Sequence, residues 1–163
     1  MTTGVFVYRD GVKVELTPEE IPTPDLAALK ARRRDEVNRF RDEKNLSDIT
    51  FNGVVFQADQ RSQDRLDRAR TSALSAITAG AQQGDFRWHG QSVDFFWIAK
   101  DNTQVVMDAQ TTVLFGNAMV AREGLLIATA AAIKNAIDQI DAGDPALTVA
   151  AVEAFDITQG WPA

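Results

Sequence analysis

The chain has 163 residues and a formal net charge of −6, with 45% hydrophobic and 25% charged residues. This composition is typical of a folded globular domain and excludes a disordered chain, while the acidic charge argues against nucleic-acid binding, which needs clustered Lys and Arg. There is no cysteine, which excludes disulfides and thiolate metal sites, and the single histidine leaves only carboxylate sites for hard cations.

The sequence does not predict membrane insertion or export. The most apolar run, Gly124–Ile133, is bounded by charged residues and falls short of the ~18 uninterrupted apolar residues that a transmembrane helix requires. The amino terminus lacks the basic lead and apolar core of a secretory signal. We therefore expect a protein that stays in the cytosol in which it is made and has no membrane partner.

The amino-terminal residues predict a small β-hairpin followed by an arm. Strand-forming residues flank Asp10-Gly11, a dipeptide that favours a two-residue hairpin turn. Two prolines then prevent Thr17–Pro24 from forming a helix or a central strand. We expect this segment to be an extended arm, which lets the hairpin pack apart from the rest of the chain.

The first long helix is predicted at about 24–44. Thr23 can cap it, Pro24 suits the first helical position, and Asp25 favours the positive end of the helix dipole. The apolar stripe of this helix consists of Leu26, Leu29, Val37 and Phe40. The charged run on its other side consists of Lys30, Arg32, Arg33, Arg34, Asp35 and Glu36. Because the basic residues are followed at once by Asp35 and Glu36, this run indicates a solvated face with internal ion pairs.

A second hairpin and a second helix are predicted next. Asn52-Gly53 is a turn dipeptide, and it places two pairs of apolar residues on one face of the hairpin. These pairs are Phe51 with Val54 and Ile49 with Phe56. An isolated hairpin is marginal in water, so this face must pack on a helix. Asp59 is predicted to cap a helix at about 59–79, which stops at Gly80.

An aromatic-rich segment precedes the longest helix. We expect strands at about 95–99 and 104–107, joined by a turn at Lys100–Thr103, and the sequence leaves their register open. Asp108 is predicted to cap a helix at about 108–142. Asp144 and Pro145 then start a short helix that reaches about Phe155.

Apolar residues recur at three- and four-residue steps along the longest predicted helix, for roughly three heptads. They are Phe115, Met119, Leu126, Ala130, Ile133, Ile137 and Ile140. Two interpretations are open: this is the central helix of an ordinary helical core, or it is an oligomeric seam. In the second interpretation Met119, Leu126 and Ile133 bind a partner and the protein is a homo-oligomer.

No motif in the chain predicts catalysis or cofactor binding. His89 lies between Trp88 and Gly90, and no motif supplies a nucleophile that it could activate or a carboxylate that would orient it. Residues 59–64 carry several side-chain oxygens, but they lack the central glycine and closing glutamate of a calcium loop. Phosphate-loop and dinucleotide fingerprints are also absent. We predict no catalytic residue, no metal ligand and no cofactor.

The aromatic residues allow two interpretations. Trp88, Phe95, Phe96 and Trp97 either pack in the core or form a carbohydrate- or peptide-binding platform, for which Asp94 would supply a carboxylate. Trp161 lies near the carboxyl terminus, where it must be buried by docking back or by a partner. We expect Trp161, together with Phe6 and Tyr8 of the first hairpin, to bind partner subunits.

Five segments carry a resemblance to a known family. They are Leu26–Glu43, Phe51–Leu66, Phe86–Gly90, Asp101–Gln110 and Gly160–Pro162. In this order they resemble the domain of unknown function 4376, found in small tail-related proteins of tailed bacteriophages and prophages. That family has an Asp and a Ser at the start of its second helix, which Asp59 and Ser62 match. The family has no established activity, so the resemblance implies a setting rather than a mechanism.

These observations lead to one set of expectations. The fold is α+β, with three principal helices packed with short hairpins and an extended amino-terminal arm. The domains are residues 1–22 (hairpin and arm), 23–143 (core) and 144–163 (short helix and tail). The resemblance implies a non-enzymatic phage tail protein that docks to fibre or baseplate subunits, present in the host cytoplasm during assembly and then in the virion tail. The alternatives are a tail fibre assembly chaperone and a glycan-binding or glycan-hydrolysing module.

Overall fold

The computed structural model describes residues 6–9, 11–15 and 25–162. Within these ranges the chain forms four helices and three separate two-stranded antiparallel hairpins, which confirms the predicted α+β class. The predicted extended arm, Thr17–Pro24, lies outside the described residues.

The elements follow the predicted order. They are β1 Phe6–Arg9, β2 Val12–Glu15, α1 Leu26–Asn45, β3 Ile49–Phe51, β4 Val54–Phe56, α2 Gln60–Thr78, β5 Phe96–Ile98, β6 Gln104–Val106, α3 Ala109–Gln139 and α4 Pro145–Ala154. Asp59, Asp108 and Asp144 are the N-caps of α2, α3 and α4, as predicted, because each carboxylate accepts backbone N–H groups of the first turn.

Two helix ends differ from the prediction. The N-cap of α1 is Asp25, whose Oδ1 accepts the backbone N–H of Ala28 at 3.1 Å, so this carboxylate takes the role predicted for the Thr23 hydroxyl. Helix α3 ends at Gln139 instead of about residue 142, because the backbone becomes extended at Ile140. That change of direction lets the Ile140 side chain pack against α1 and α4 in the core.

The hairpin turns have the geometry that their dipeptides favour. Asn52 and Gly53 both have positive φ, 50° and 78°, as a two-residue type I′ turn requires. The predicted pairing of Phe51 with Val54 and Ile49 with Phe56 is confirmed. In the third hairpin, whose register the sequence left open, Trp97 pairs with Val105.

The core consists of two clusters placed along α3. Around its first half, Phe115 contacts rings from two hairpins, with centroid distances of 4.7 Å to Phe56, 5.0 Å to Phe51 and 6.1 Å to Trp97. Around its second half, Ile137 packs with residues of α1 and α4; the buried members are Leu29, Val37, Ala130, Ile137 and Val152. Helix α3 therefore joins all the larger elements into one body.

The basic run of α1 does more than form a solvated face. The Lys30 ammonium donates to the carbonyls of Asp138 and Ile140, at 2.8 and 3.0 Å, and Arg33 donates to the carbonyl of Phe155. These carbonyls belong to the carboxyl ends of α3 and α4, where a cation is favoured by the helix dipole. The internal ion pairs that were predicted are present as Arg32–Glu36 and Arg33–Glu36.

Arg122 closes the carboxyl end of α1 in the same way. Its guanidinium, on α3, donates to the carbonyls of Asn45, Ser47 and Asp48 at 2.6, 2.9 and 3.1 Å. Burial lowers the pKa of Arg122, an effect that the nearby Asp48 carboxylate partly offsets. One side chain thus fixes the turn that leads from α1 into the second hairpin.

Replacing Arg122 with Ala should destabilise the protein. The substitution removes the donor to three carbonyls, and we expect the free energy of unfolding to fall by about 1–3 kcal/mol. Urea denaturation measures this change. Arg32→Ala is the matched control, because Arg32 is mostly exposed and its ion pair with Glu36 is long at 3.7 Å, so its loss should be within about 0.5 kcal/mol. Equal losses in both variants would contradict the capping role.

Candidate functional site: apolar docking surfaces

The predicted partner seam of the longest helix faces the core instead. Leu126 is 2% exposed, Met119 packs against the first cluster, and Ile133 packs against the second. The packing of this stripe favours the first interpretation, a core helix, and partner binding by Met119, Leu126 and Ile133 stays a prediction. The stripe is buried because α1 and α2 both pack along this side of α3.

Trp161 docks back on its own chain. Its ring lies 5.4 Å from the ring of Phe40 on α1, and its Nε1 donates to the carbonyl of Ile157 at 2.8 Å. Of the two fates open to Trp161, intramolecular burial is thus the one observed. Its half-buried ring belongs to the second cluster and is a poor candidate for a partner anchor.

The first hairpin exposes apolar side chains. Tyr8 is 76% exposed and Val12 is 63% exposed, whereas Val7 and Val14, which pair across the two strands, are half-buried. Arg9 pairs with Val12 across the two strands, and Gly11 has a positive φ of 80°. Asp10 of the predicted turn lies outside the described residues. Phe6 lies on β1, and its side chain lies outside the described residues. Tyr8 is thus a predicted partner-binding residue whose side chain is accessible to a partner.

Most of the aromatic-rich segment packs inward. The rings of Trp88 and Phe95 are tilted against each other with centroids 4.7 Å apart, and Trp88 donates its Nε1 proton to the carbonyl of Met107 at 3.1 Å. Phe95 and Trp97 pack against the first cluster. The core interpretation holds for these three rings, while Phe96 points outward from the third hairpin.

The third hairpin has an apolar outer face. Phe96, Ile98 and Val106 are exposed on it, because alternation along the strands turns Trp97 and Val105 toward the core. Beside it runs an open groove of about 360 Å³. The groove is lined by Gln57, Ser62, Arg65, Ala69, Phe95, Phe96, Trp97 and Ile98. Asp94 is engaged elsewhere, by Arg87 at 3.1 Å, so the carboxylate proposed for a glycan site does not line this groove.

Asp59 and Ser62, which carry part of the family resemblance, form a helix cap. Asp59 Oδ1 accepts the backbone N–H of Ser62 at 2.8 Å. Hydrogen bonds from the Ser62 backbone and hydroxyl lower the pKa of Asp59, so the carboxylate stays charged at the positive end of α2. The pair therefore has a structural role, which is to fix where α2 begins after the second hairpin.

The family described as a domain of unknown function (DUF4376) matches residues 28–159, which is most of the chain. The chain belongs to this family. No curated protein matches the chain, and no solved structure matches it either. The matched range begins two residues inside α1 and runs past the end of α4, with both hairpins between α1 and α3 included. The DUF4376 region thus covers most of the two-cluster body.

Asp108 is a buried polar residue of the DUF4376 body. Its carboxylate accepts the N–H of Thr111 at 2.7 Å as the N-cap of α3, and the N–H of Gly84 at 2.8 Å from the loop after α2. Burial alone would raise the pKa of Asp108, but the hydrogen bonds from Thr111 and Gly84 outweigh it, and the pKa lies below its usual value. This one carboxylate ties the loop after α2 to the start of α3.

Asp108 should contribute stability that depends on pH. Asp108→Ala removes the cap and should cost about 1–2 kcal/mol at neutral pH, and Asp108→Asn, which keeps an acceptor without the charge, should cost less. Because the folded pKa is depressed, the advantage of wild type over Asp108→Asn is fully present above about pH 5 and fades as pH falls below about 4. Urea titrations from neutral to acidic pH measure it. An advantage that grew on acidification would contradict this role.

His89 packs against the rings of Trp88 and Phe95. Its ring lies 5.4 Å from the ring of Phe95 in an edge contact, and its buried Nδ1 has no hydrogen-bond partner among the described residues. A catalytic histidine is normally oriented by a partner on this nitrogen. Elsewhere in the described ranges, no group of three or more His, Asp and Glu side chains could hold a metal ion.

Helix α3 of the DUF4376 body is unusually apolar for its position. Among the helices that the structure describes, it is long and apolar enough to cross a membrane by length and composition. An 18-residue window of this helix has a mean hydropathy of 1.3, and 22% of that window is buried. A long core helix has the same length and composition. Since α1 and α2 cover one side of α3, the exposed part of this window lies on the side turned away from the core.

Proposed function

We propose that this protein is a non-enzymatic structural component of a bacteriophage tail, held in or on the fibre or baseplate, which docks to neighbouring subunits. The observation that carries the docking role is the first hairpin, where Tyr8 and Val12 are largely exposed. An isolated two-stranded hairpin is only marginally stable in water. Contact with another subunit would bury these side chains, and a tyrosine is a typical binding anchor.

The polar groups of the body support a structural role. Asp59, Asp108 and Asp144 cap helix starts, and Lys30 and Arg122 close helix ends. Their hydrogen-bonding capacity is thus used to hold secondary structure in place. Catalysis would need charged groups that converge on a substrate instead.

The tail setting rests on the family. The chain belongs to DUF4376. The tail setting is what the resemblance of its short segments to small tail-related phage proteins implies. In this proposal the partners are other tail proteins, and the protein is present in the host cytoplasm during assembly and in the virion afterwards. The amino-terminal region, residues 1–22, precedes the matched range. In this proposal it binds a neighbouring subunit, while the helical body fills space in the assembly.

Removing residues 1–22 should leave the body folded and abolish incorporation into particles. Both clusters lie within the remaining chain, so circular dichroism and the urea midpoint should change little. Particles produced with the truncated protein should lack it on immunoblots. Normal incorporation of the truncated protein would reject the role of the arm.

A finer version tests the hairpin surface itself. Tyr8→Ser combined with Val12→Ser removes the exposed apolar groups, and incorporation should fall at least about tenfold if these residues anchor the contact. Val55→Ser is the matched control, because Val55 is also an exposed strand residue but lies on the second hairpin. Quantitative immunoblots of purified particles compare the variants. If the double variant is incorporated as well as Val55→Ser, the docking surface does not lie on β1–β2.

Mass spectrometry of purified virions separates this function from its alternative. A structural component is present at a fixed copy number relative to the other tail proteins. Absence from virions, together with binding to the fibre protein in lysates of infected cells, would identify an assembly chaperone instead.

A further inference from the structure

Helix α3 has an apolar face that no other described element covers. Val120 and Ile127, exposed at 57% and 52%, flank it, because they line the grooves beside α2 and α1. On the face itself two large aliphatic side chains are more than half exposed, Leu114 and Leu125 at 58% each. They lie on the opposite side of the helix from the buried Phe115, Leu126 and Ile137. We refer to residues 114–132 on this side as the outer face.

The middle of the outer face carries no charged residue, and Arg70 of α2 reaches its edge, where it donates to the side-chain oxygen of Asn117 at 3.0 Å. Within 114–132 the charged side chains are Arg122, which turns to the end of α1, and Glu123, which borders grooves beside α1 and α2. The helix is about 28 Å long over this range and about 11 Å wide, so half of its lateral surface is on the order of 500 Å². Such an area is at the upper end of apolar patches on monomers. Two copies together would bury on the order of 1,000 Å², which is enough for a weak specific dimer.

The outer face has the spacing of a helix–helix seam. Its central line alternates steps of four and three residues, the period at which two helices keep the same sides in contact. The line consists of Leu114, Ala118, Ala121, Leu125, Ala128 and Ala132. This line is distinct from the buried stripe that suggested a seam in the sequence, since its members other than Ala118 are exposed. Ala118 is half-buried against the first cluster.

In an antiparallel pair of α3 helices, the large residues of this central line can lie opposite the small residues of the same line in the second copy. If two copies meet antiparallel with the two-fold axis at position 123, Leu114 lies opposite Ala132 of the second copy and Leu125 lies opposite Ala121 of the second copy. Each large side chain thus meets a small one, as close packing requires. Gly124 lies beside the axis, and nothing lies within 4 Å of where its Cβ would be, so the two backbones can approach closely there.

We propose that the protein forms an antiparallel two-fold homodimer through the outer face of α3. Self-complementarity favours a second copy of this chain as the occupant, because a symmetric dimer presents the same patch twice. A lipid surface is the weaker fit: helices that lie on membranes are rich in Lys and Arg along the polar flank, whereas this chain has a net charge of −6. The inference does not depend on a tail setting.

Sedimentation velocity of the full chain tests the proposal. Across the micromolar range the mass should rise from 17.9 kDa toward twice that value. Leu125→Lys and Ala121→Glu should each raise the dimer dissociation constant at least about tenfold, since each places a charge in the seam. Leu74→Lys is the matched control, because Leu74 is a comparably exposed leucine on α2, and it should leave the constant unchanged. Circular dichroism verifies that all variants stay folded.

Mixing variants tests the antiparallel register. In a mixture of Leu125→Lys and Ala121→Glu proteins, the introduced lysine faces the introduced glutamate across the axis, so native mass spectrometry should show mainly the mixed dimer. Restoration by mixing Leu125→Lys with Leu125→Glu instead would indicate parallel helices and overturn the register. A monomer at all concentrations would overturn the proposal. So would a monomer that binds phosphatidylglycerol vesicles through Leu125, which would assign the outer face to lipid.

Discussion

Phe115 on α3 packs against Phe51 and Phe56 of the second hairpin, and this ring contact holds the hairpin on the first half of α3. A short hairpin cannot bury its own apolar face, so it needs a helix to pack on. Helix α3 supplies that surface with its first half and supports α1 and α4 with its second half. Because the same stripe serves both clusters, the side of α3 opposite to it is left uncovered by the described elements.

Charged side chains complete the body by closing helix ends from neighbouring elements. Lys30 on α1 serves the end of α3, and Arg122 on α3 serves the end of α1, so the two helices stabilise each other reciprocally. Asp108 acts similarly between α3 and the loop after α2. The first hairpin and the outer face of α3 would serve different contacts, one with other subunits and one with a second copy.

Local features were readable from single short segments. Asn52-Gly53 predicts its turn because both residues tolerate positive φ, and Asp59, Asp108 and Asp144 predict helix starts because a carboxylate next to an apolar-periodic run caps the first N–H groups. Each of these effects acts within about four residues along the chain. The DUF4376 resemblance was readable for the same reason, since it depends on short segments in a fixed order, and the family match confirms it.

By itself, the sequence determined the elements, the register of the second hairpin and the periodic apolar stripe of α3. Only the tertiary structure decided which side of α3 is core, that Trp161 docks on Phe40, and that Lys30 and Arg33 reach helix ends more than 100 residues away. A stripe of apolar residues has the same period whether it meets its own chain or another. Which of the two occurs depends on how far the neighbouring helices can reach around α3, and that is a property of packing in three dimensions.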